Sequence, residues 1–363
     1  MEISRPTIME VDLAALEFNI TQIKNFVGKN VQIMPVIKAN AYGTYINKLD
    51  YIINKFEIVA VALVDEAVAL RNMGYSKEIF VLNQPDKQEI EKIIKYNITV
   101  GITDISFVRE LGNRTKNSKI HIEVDTGMGR TGVNPKNLMG FITEIQKYTN
   151  ICIDGIYTHL SSADTDHEYT ENQLQIFNEC VCEAKGRLKL KYIHCLASNG
   201  ILNFCKNSYN IVRPGIILYG YEAGENTFEK INLKPVCKLK SKITFLKEVA
   251  ANISISYSRK FITTRKSKIA TIPIGYADGL RRELSGKGYV VINNEKAPIV
   301  GTICMDSIMV DVTDLKNVSV ATDVYIWDNK IITLEDIANL TGTINYEILS
   351  TISDRVPRKF IER

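Results

Sequence analysis

The feature that most constrains this chain is an alternation. Over the first two-thirds, eight short apolar runs of β type recur, at Gln32–Ile37, Ile58–Leu63, Ile79–Leu82, Thr99–Ile102, Ile120–Val124, Ile153–Tyr157, Tyr192–Leu196 and Ile211–Val212. Segments with helical spacing lie between and before them. The clearest comes first: Leu16, Ile20, Ile23 and Val27 follow i, i+4, i+7, i+11, and Asp12 is placed to cap that helix. Glu66–Met73, Gln88–Tyr96, Leu138–Tyr148 and Glu171–Lys185 read the same way. Eight strands alternating with helices predict a (β/α)8 barrel of the TIM type. The rival, a doubly wound sheet, wants a glycine-rich phosphate loop after the first strand, and no GxGxxG stands there.

Near Asn232–Pro235 the pattern changes. Short alternating runs follow at Lys242–Leu246, Ile269–Ile272, Tyr289–Ile292, Ile308–Val312 and Val324–Trp327, with helical spacing mainly at Leu334–Leu340. The fold class expected is therefore α/β: a barrel over residues 1–233, then a mainly-β domain over 234–363.

Composition narrows the function. Forty-five basic residues face 41 acidic ones with no basic block, which argues against nucleic acid or an anionic membrane as partner. No run approaches the roughly 18 apolar residues of a membrane span. The opening MEISRPTIMEVDL carries acids and lacks an apolar core, so it does not read as a signal peptide. Seven cysteines, an odd number with no CxxC pair, read as reduced thiols in a cytoplasm. Four histidines and no HExxH predict no metal centre.

In a barrel, chemistry collects at the C-terminal ends of the strands. The first run delivers Lys38 there, in VIKANAYG; half desolvated at a barrel mouth, a lysine suits Schiff-base chemistry. The fifth run is followed by Arg130 in DTGMGRTG, the sixth by His159, the seventh by Ser198 and the eighth by Arg213 and Gly215. Each alone reads as an ordinary surface or loop residue. Five polar or basic groups at one end of five strands do not. The loops after strands seven and eight are where barrels bind phosphate, and a lysine facing a phosphate site is what pyridoxal phosphate requires.

These segments, with VALVDEAVALR, GIYTHLSSAD, NIVRPGIILYG, ISYSRKF, IPIGYADG, VGTICMDSIMV and NYEIL, occur in the order and spacing of one family. Along its length the chain resembles the bacterial alanine racemases, pyridoxal-phosphate enzymes of fold type III. The resemblance implies interconversion of L- and D-alanine, supplying D-alanine for peptidoglycan, by a homodimer whose active sites are shared across the interface. Lys38 would hold the cofactor and act as one base; Tyr257 would be the other, reaching in from the partner subunit. Arg213 would face the pyridine nitrogen, and Tyr42, Ser198, Gly215, Ile216 and Tyr346 would bind the phosphate. Arg130 would contact the cofactor's phenolic oxygen and the substrate, and His159 would support the ring. Met305 and Asp306, again across the interface, would line the substrate side.

Physical chemistry agrees with these roles. Racemisation removes a proton from one face of a carbon and returns one to the other, so two bases must oppose each other. Lysine and tyrosine both ionise near pH 10 when unperturbed, about three units from neutrality, so their surroundings have to tune them. A guanidinium keeps its proton, so Arg213 cannot protonate the ring nitrogen, and the ring becomes a weaker electron sink than one paired with a carboxylate. An acidic residue there would instead fit the decarboxylases of the same fold type.

Three departures stand out. The family's AYGHG reads AYGTY here, with Thr44 and Tyr45, and HCLASNG differs from the commoner wording around Ser198. Where many members carry a carbamylated lysine, this chain has Glu123, which could present a carboxylate to Arg130 directly. The competing readings are a serine or broad-specificity racemase, against which the bulk of Tyr346 argues mildly, and a non-catalytic pyridoxal-phosphate barrel protein, against which the second domain argues.

Overall fold

The computed structural model describes residues 4–224 and 227–362, apart from the side chain of Asp50. Asp12 caps the first helix, Leu13–Val27, its carboxylate accepting from the Ala15 N–H at 2.9 Å. Leu16, Ile23 and Val27 face inward as their spacing predicts.

The eight runs form a ring of parallel strands. Ile58–Val61, Glu78–Val81, Thr99–Ile102, Ser118–Glu123, Ile151–Tyr157 and Tyr192–His194 pair in that order as one six-stranded sheet. Gln32–Ile33 pairs with Ile211–Val212, and two isolated bridges, Val36 to Ala60 and Ala197 to Arg213, join this pair to both edges of the larger sheet. The first run is a shorter ladder than its apolar length suggests because Pro35 has no N–H to donate; its carbonyl still accepts from the Ala60 N–H at 2.9 Å. The barrel is filled by its own strands: Phe80, His121, Tyr157 and His194 pack against one another inside it, while Val59, Val100, Ile120 and Ile122 are buried on the opposite face of the same strands.

The second sheet has nine strands; the periodicity did not flag Ile8–Asp12, Glu295–Val300 or Arg358–Ile361, and the run expected at Lys242–Leu246 straddles two strands, Cys237–Lys242 and Phe245–Val249. Ile8–Asp12 runs antiparallel to Cys237–Lys242 and parallel to Arg358–Ile361, burying Met9 and Val11. The chain thus starts in the β region, builds the barrel and returns. A short helix, Asn345–Ser350, follows Leu334–Thr341 and packs against the Lys38–Tyr42 turn. Among the described residues no helix is long and apolar enough to cross a membrane.

Candidate active site

Lys38 opens a turn that propensity alone would make right-handed. Ala39, Asn40, Ala41 and Tyr42 instead all have positive φ, from 52° to 56°. Four consecutive non-glycine residues in this region are costly and persist only where neighbours over-determine them. Here the Glu66 carboxylate accepts from the Ala39 N–H at 2.6 Å and from the Ala62 N–H at 2.8 Å. Arg358 donates to the Gly43 carbonyl at 2.9 Å and stacks 4.5 Å over the Tyr45 ring, whose hydroxyl bonds Asp354. The departures Thr44 and Tyr45 are therefore both buried, and Tyr45 fastens the loop to the β region.

A cavity of about 660 Å³ opens at the C-terminal ends of the barrel strands. Lys38, Tyr42, Arg130, His159, Ser198, Arg213, Gly215 and Tyr346 all line it. Burial and the Arg130 charge together hold the Lys38 amine below its ordinary value, with Glu66 opposing them weakly.

At one end three groups converge. The Gly215 N–H donates to Ser198 Oγ at 3.0 Å, and a Cβ at Gly215 would lie 2.4 Å from Tyr42 Oη. No other residue type fits at 215 with the tyrosine in place. Tyr346 lies 6.1 Å from Tyr42, ring to ring. Ile216 begins the 3-10 turn Ile216–Tyr219, fully buried behind the cradle, and is not part of the cavity lining.

At the other end sits Arg213, only 2% exposed. It donates to His194 Nδ1 at 2.6 Å and to the carbonyls of Thr158 at 2.8 Å and Cys195 at 3.3 Å, and lies 3.4 Å from His159 Nδ1. Burial, aided by the Arg213 and Arg130 charges, pushes the His159 pKa down to about 3, so this ring is neutral at physiological pH. Sequence reading singled out His159 and passed over His194, an isolated polar residue within a buried strand; its position two residues beyond Tyr192, on the alternating inward face, was the available signal.

Arg130 is exposed, and no ion pair to it is found among the described residues. The carboxylate expected to hold it, Glu123, accepts at Oε2 from Thr131 Oγ1 at 2.8 Å and feels the Arg130 charge without pairing with it. Burial raises the Glu123 pKa, against the hydrogen bond from Thr131 and the Arg130 charge.

The three β-region residues are not in this cavity. Tyr257 is 66% exposed and Met305 52% exposed, and neither they nor Asp306 line it. Tyr257 stands where Ser256, Ser258 and Arg259 all have positive φ, and its carbonyl accepts from Thr302 Oγ1 at 3.1 Å. The Met305 loop is fixed by backbone bonds from Tyr276 and Ala277, and Arg355 holds Asp306 at 2.5 Å. These groups are rigidly presented and turned outward.

Comparison with known proteins agrees with this division. Residues 11–223 match the family model "Alanine racemase, N-terminal domain" and residues 236–360 match "Alanine racemase, C-terminal domain". An alanine racemase of Halothermothrix orenii is 42% identical, covering 99% of this chain and 97% of its own. The crystal structure of alanine racemase from Clostridium difficile 630 superimposes with a TM-score of 0.94 at 34% identity, covering 99% and 97%. That from Bartonella henselae, with covalently bound pyridoxal phosphate, gives 0.87 at 30%, covering 98% and 99%.

Proposed function

Because the chain belongs to the alanine racemase family, we propose that it interconverts L- and D-alanine with pyridoxal phosphate, using Lys38 and the partner subunit's Tyr257 as opposed bases. The observation that carries the reading is the convergence on one cavity of a lysine, a glycine-floored hydroxyl cradle and a buried guanidinium.

The residues fit the cofactor. The cradle that a Cβ at Gly215 would fill presents the hydroxyls of Tyr42 and Ser198, the donors a phosphate needs. Tyr346 closes the same end, with Ile216 supplying backbone behind it. Pyridoxal phosphate, when bound, supplies a covalent attachment for the substrate amine and a ring that accepts electron density from the α-carbon. Lys38 would hold it and would serve as the base on one face; a lowered amine pKa suits this lysine to act as a base near neutrality. Arg213, tied by its other donors, presents a fixed cation to the ring nitrogen without giving up its proton. His159, neutral and beside Arg213, supports the ring face. Arg130, on the cavity lining, would contact the phenolic oxygen and the substrate.

The second base comes from the exposed face of the β region. In a homodimer, the partner subunit's Tyr257 stands over the opposite face of the α-carbon, with the partner subunit's Met305 and the partner subunit's Asp306 along the substrate side. The outward, strained presentation of the Tyr257 turn supports this.

The test is complementation. Lys38→Ala and Tyr257→Phe chains are each expected to be inactive. Co-expressed, they form hybrids in which one site regains both bases, restoring about a quarter of wild-type D-alanine formation after random pairing. No restoration in verified hybrids would place both bases on one chain. Running L-serine alongside L-alanine tests the substrate, with serine expected to turn over poorly beside Tyr346.

A further inference from the structure

Beneath the cavity a line of polar side chains runs through the barrel core, an unusual place for them. His194 and His121 are both fully buried, on inward positions of Tyr192–His194 and Ser118–Glu123, the strands either side of Ile151–Tyr157, with His194 Nε2 3.0 Å from His121 Nδ1. Their rings cannot turn freely. Phe80 stacks on His121 at 4.3 Å and Tyr157 on His194 at 4.9 Å, and a Cβ at Gly155 would strike the His121 ring at 2.7 Å. The backbone has been opened at Gly155 to admit an imidazole.

The proton positions follow from the fixed end. Arg213 is always a donor, so His194 Nδ1 must accept, and the His194 proton sits on Nε2. That proton points at His121 Nδ1, which must accept in turn, leaving the His121 proton on its own Nε2. His121 Nε2 is buried without a hydrogen-bond partner, and so is Asp154 Oδ2. A donor and an acceptor are left over together. A ring nitrogen of His121 and carboxylate oxygens of Asp154 and Glu78 lie within 4.8 Å of one another, a gap that one water spans.

The cluster is not a cation site. Glu78 already accepts from Lys191 at 3.1 Å, Tyr192 at 3.0 Å and Thr99 at 3.1 Å, and Lys119 lies 3.6 Å from both carboxylates. Two ammonium groups balance the two acids.

We propose that His121 and Asp154 are positioning residues for Arg213: a one-way hydrogen-bond line, Arg213 to His194 to His121 and through one buried water to Asp154, locks both imidazoles as Nε2–H tautomers and holds the guanidinium in place. The proposal rests on Arg213 facing the cofactor ring. Its reach is about half the barrel: the terminal acceptor lies below the site, toward the end where strands begin, yet decides how firmly the cation under the ring is held.

The test separates the line from the function. With only four histidines in the chain, 15N-labelled protein gives a spectrum in which ring tautomers are read directly, exposed His167 serving as reference. His121 and His194 are expected as neutral Nε2–H tautomers whether or not the protein proves to be a racemase. Either ring found as Nδ1–H overturns the proposal and needs no variant. Asp154→Leu removes the acceptor, whereas Asp154→Asn keeps an oxygen for it. The leucine variant is expected to mix the His121 tautomers, shift the absorption band of bound cofactor and lower kcat about tenfold with KM within about twofold, while the asparagine variant stays near wild type on all three. A leucine variant with an unaltered cofactor band and unaltered His121 tautomer would show that Asp154 only pairs with Lys119.

Discussion

The barrel end and the β-region face handle their functional side chains in opposite ways. At the barrel end Arg213, Ser198 and Tyr42 are buried, and Arg213 and Ser198 are hydrogen-bonded within their own chain. On the β region Tyr257 and Met305 lie open, on turns whose backbones are firmly fixed. A buried polar group needs its partners in the same fold, or folding leaves it unsatisfied. An exposed, rigidly held tyrosine has no such requirement and is available to another surface. The barrel's polar groups are satisfied within the chain, whereas those of the face are left for another surface.

That contrast breaks most sharply at Tyr257. Tyr257→Phe is expected to slow racemisation by about 10²–10⁴-fold, the size of a lost general base, with the thermal midpoint little moved because the ring is kept and, among the described residues, its hydroxyl packs against nothing in its own chain's core. Exchange of the α-proton with solvent should survive from one enantiomer only, the one whose proton faces Lys38. Chiral chromatography beside deuterium incorporation reads both. Equal loss of exchange from both enantiomers would mean that the tyrosine is not a base.

Gly215→Ala sharpens the other side. Its Cβ would meet Tyr42 Oη at 2.4 Å, so overpacking should cost about 1–3 kcal/mol of stability unless the ring moves into the cavity. Here stability and cofactor affinity should fall together, where Tyr257→Phe separates stability from turnover. Urea unfolding of the cofactor-free protein and a cofactor titration check this. Unchanged stability with weakened affinity would show that the Tyr42 ring can step aside.

What was readable in the chain follows the same division. The strand alternation, the Asp12 cap and Leu334–Thr341 were legible because local spacing alone decides them. Lys38, Arg130, His159, Ser198, Arg213 and Gly215 were legible as a group because a barrel collects strand ends, and the cavity unites all six. Ile8–Asp12 was not, since five residues before a helix carry no mark of partners more than two hundred positions away. The left-handed run Ala39–Tyr42 was hidden because ordinary residues take that conformation only under tertiary constraint, here from Glu66 and Arg358. His121 and His194 are single polar residues inside apolar strands, and only the register between strands makes them a pair.

Glu123 is where sequence and structure part, and it gives the smallest effect and the finest test. The sequence offered its carboxylate to Arg130, but the structure gives that carboxylate to Thr131. Burial raises its pKa above the ordinary 4.5, more than the Thr131 hydrogen bond and the Arg130 charge lower it. A group whose folded pKa is raised contributes stability below its unfolded pKa and loses that contribution as pH climbs through the folded value. A negative charge on Glu123 in the fold is therefore a net cost. Glu123→Gln keeps an oxygen for Thr131 and removes the charge. It should raise the thermal midpoint at pH 7, with the gain shrinking as pH falls toward the ordinary glutamate range. Cofactor affinity and turnover should stay near wild type. A fall in both stability and cofactor affinity at pH 7 would mean the opposite: that the carboxylate is held ionised by Arg130, and that this exposed arginine belongs with the barrel's self-contained groups after all.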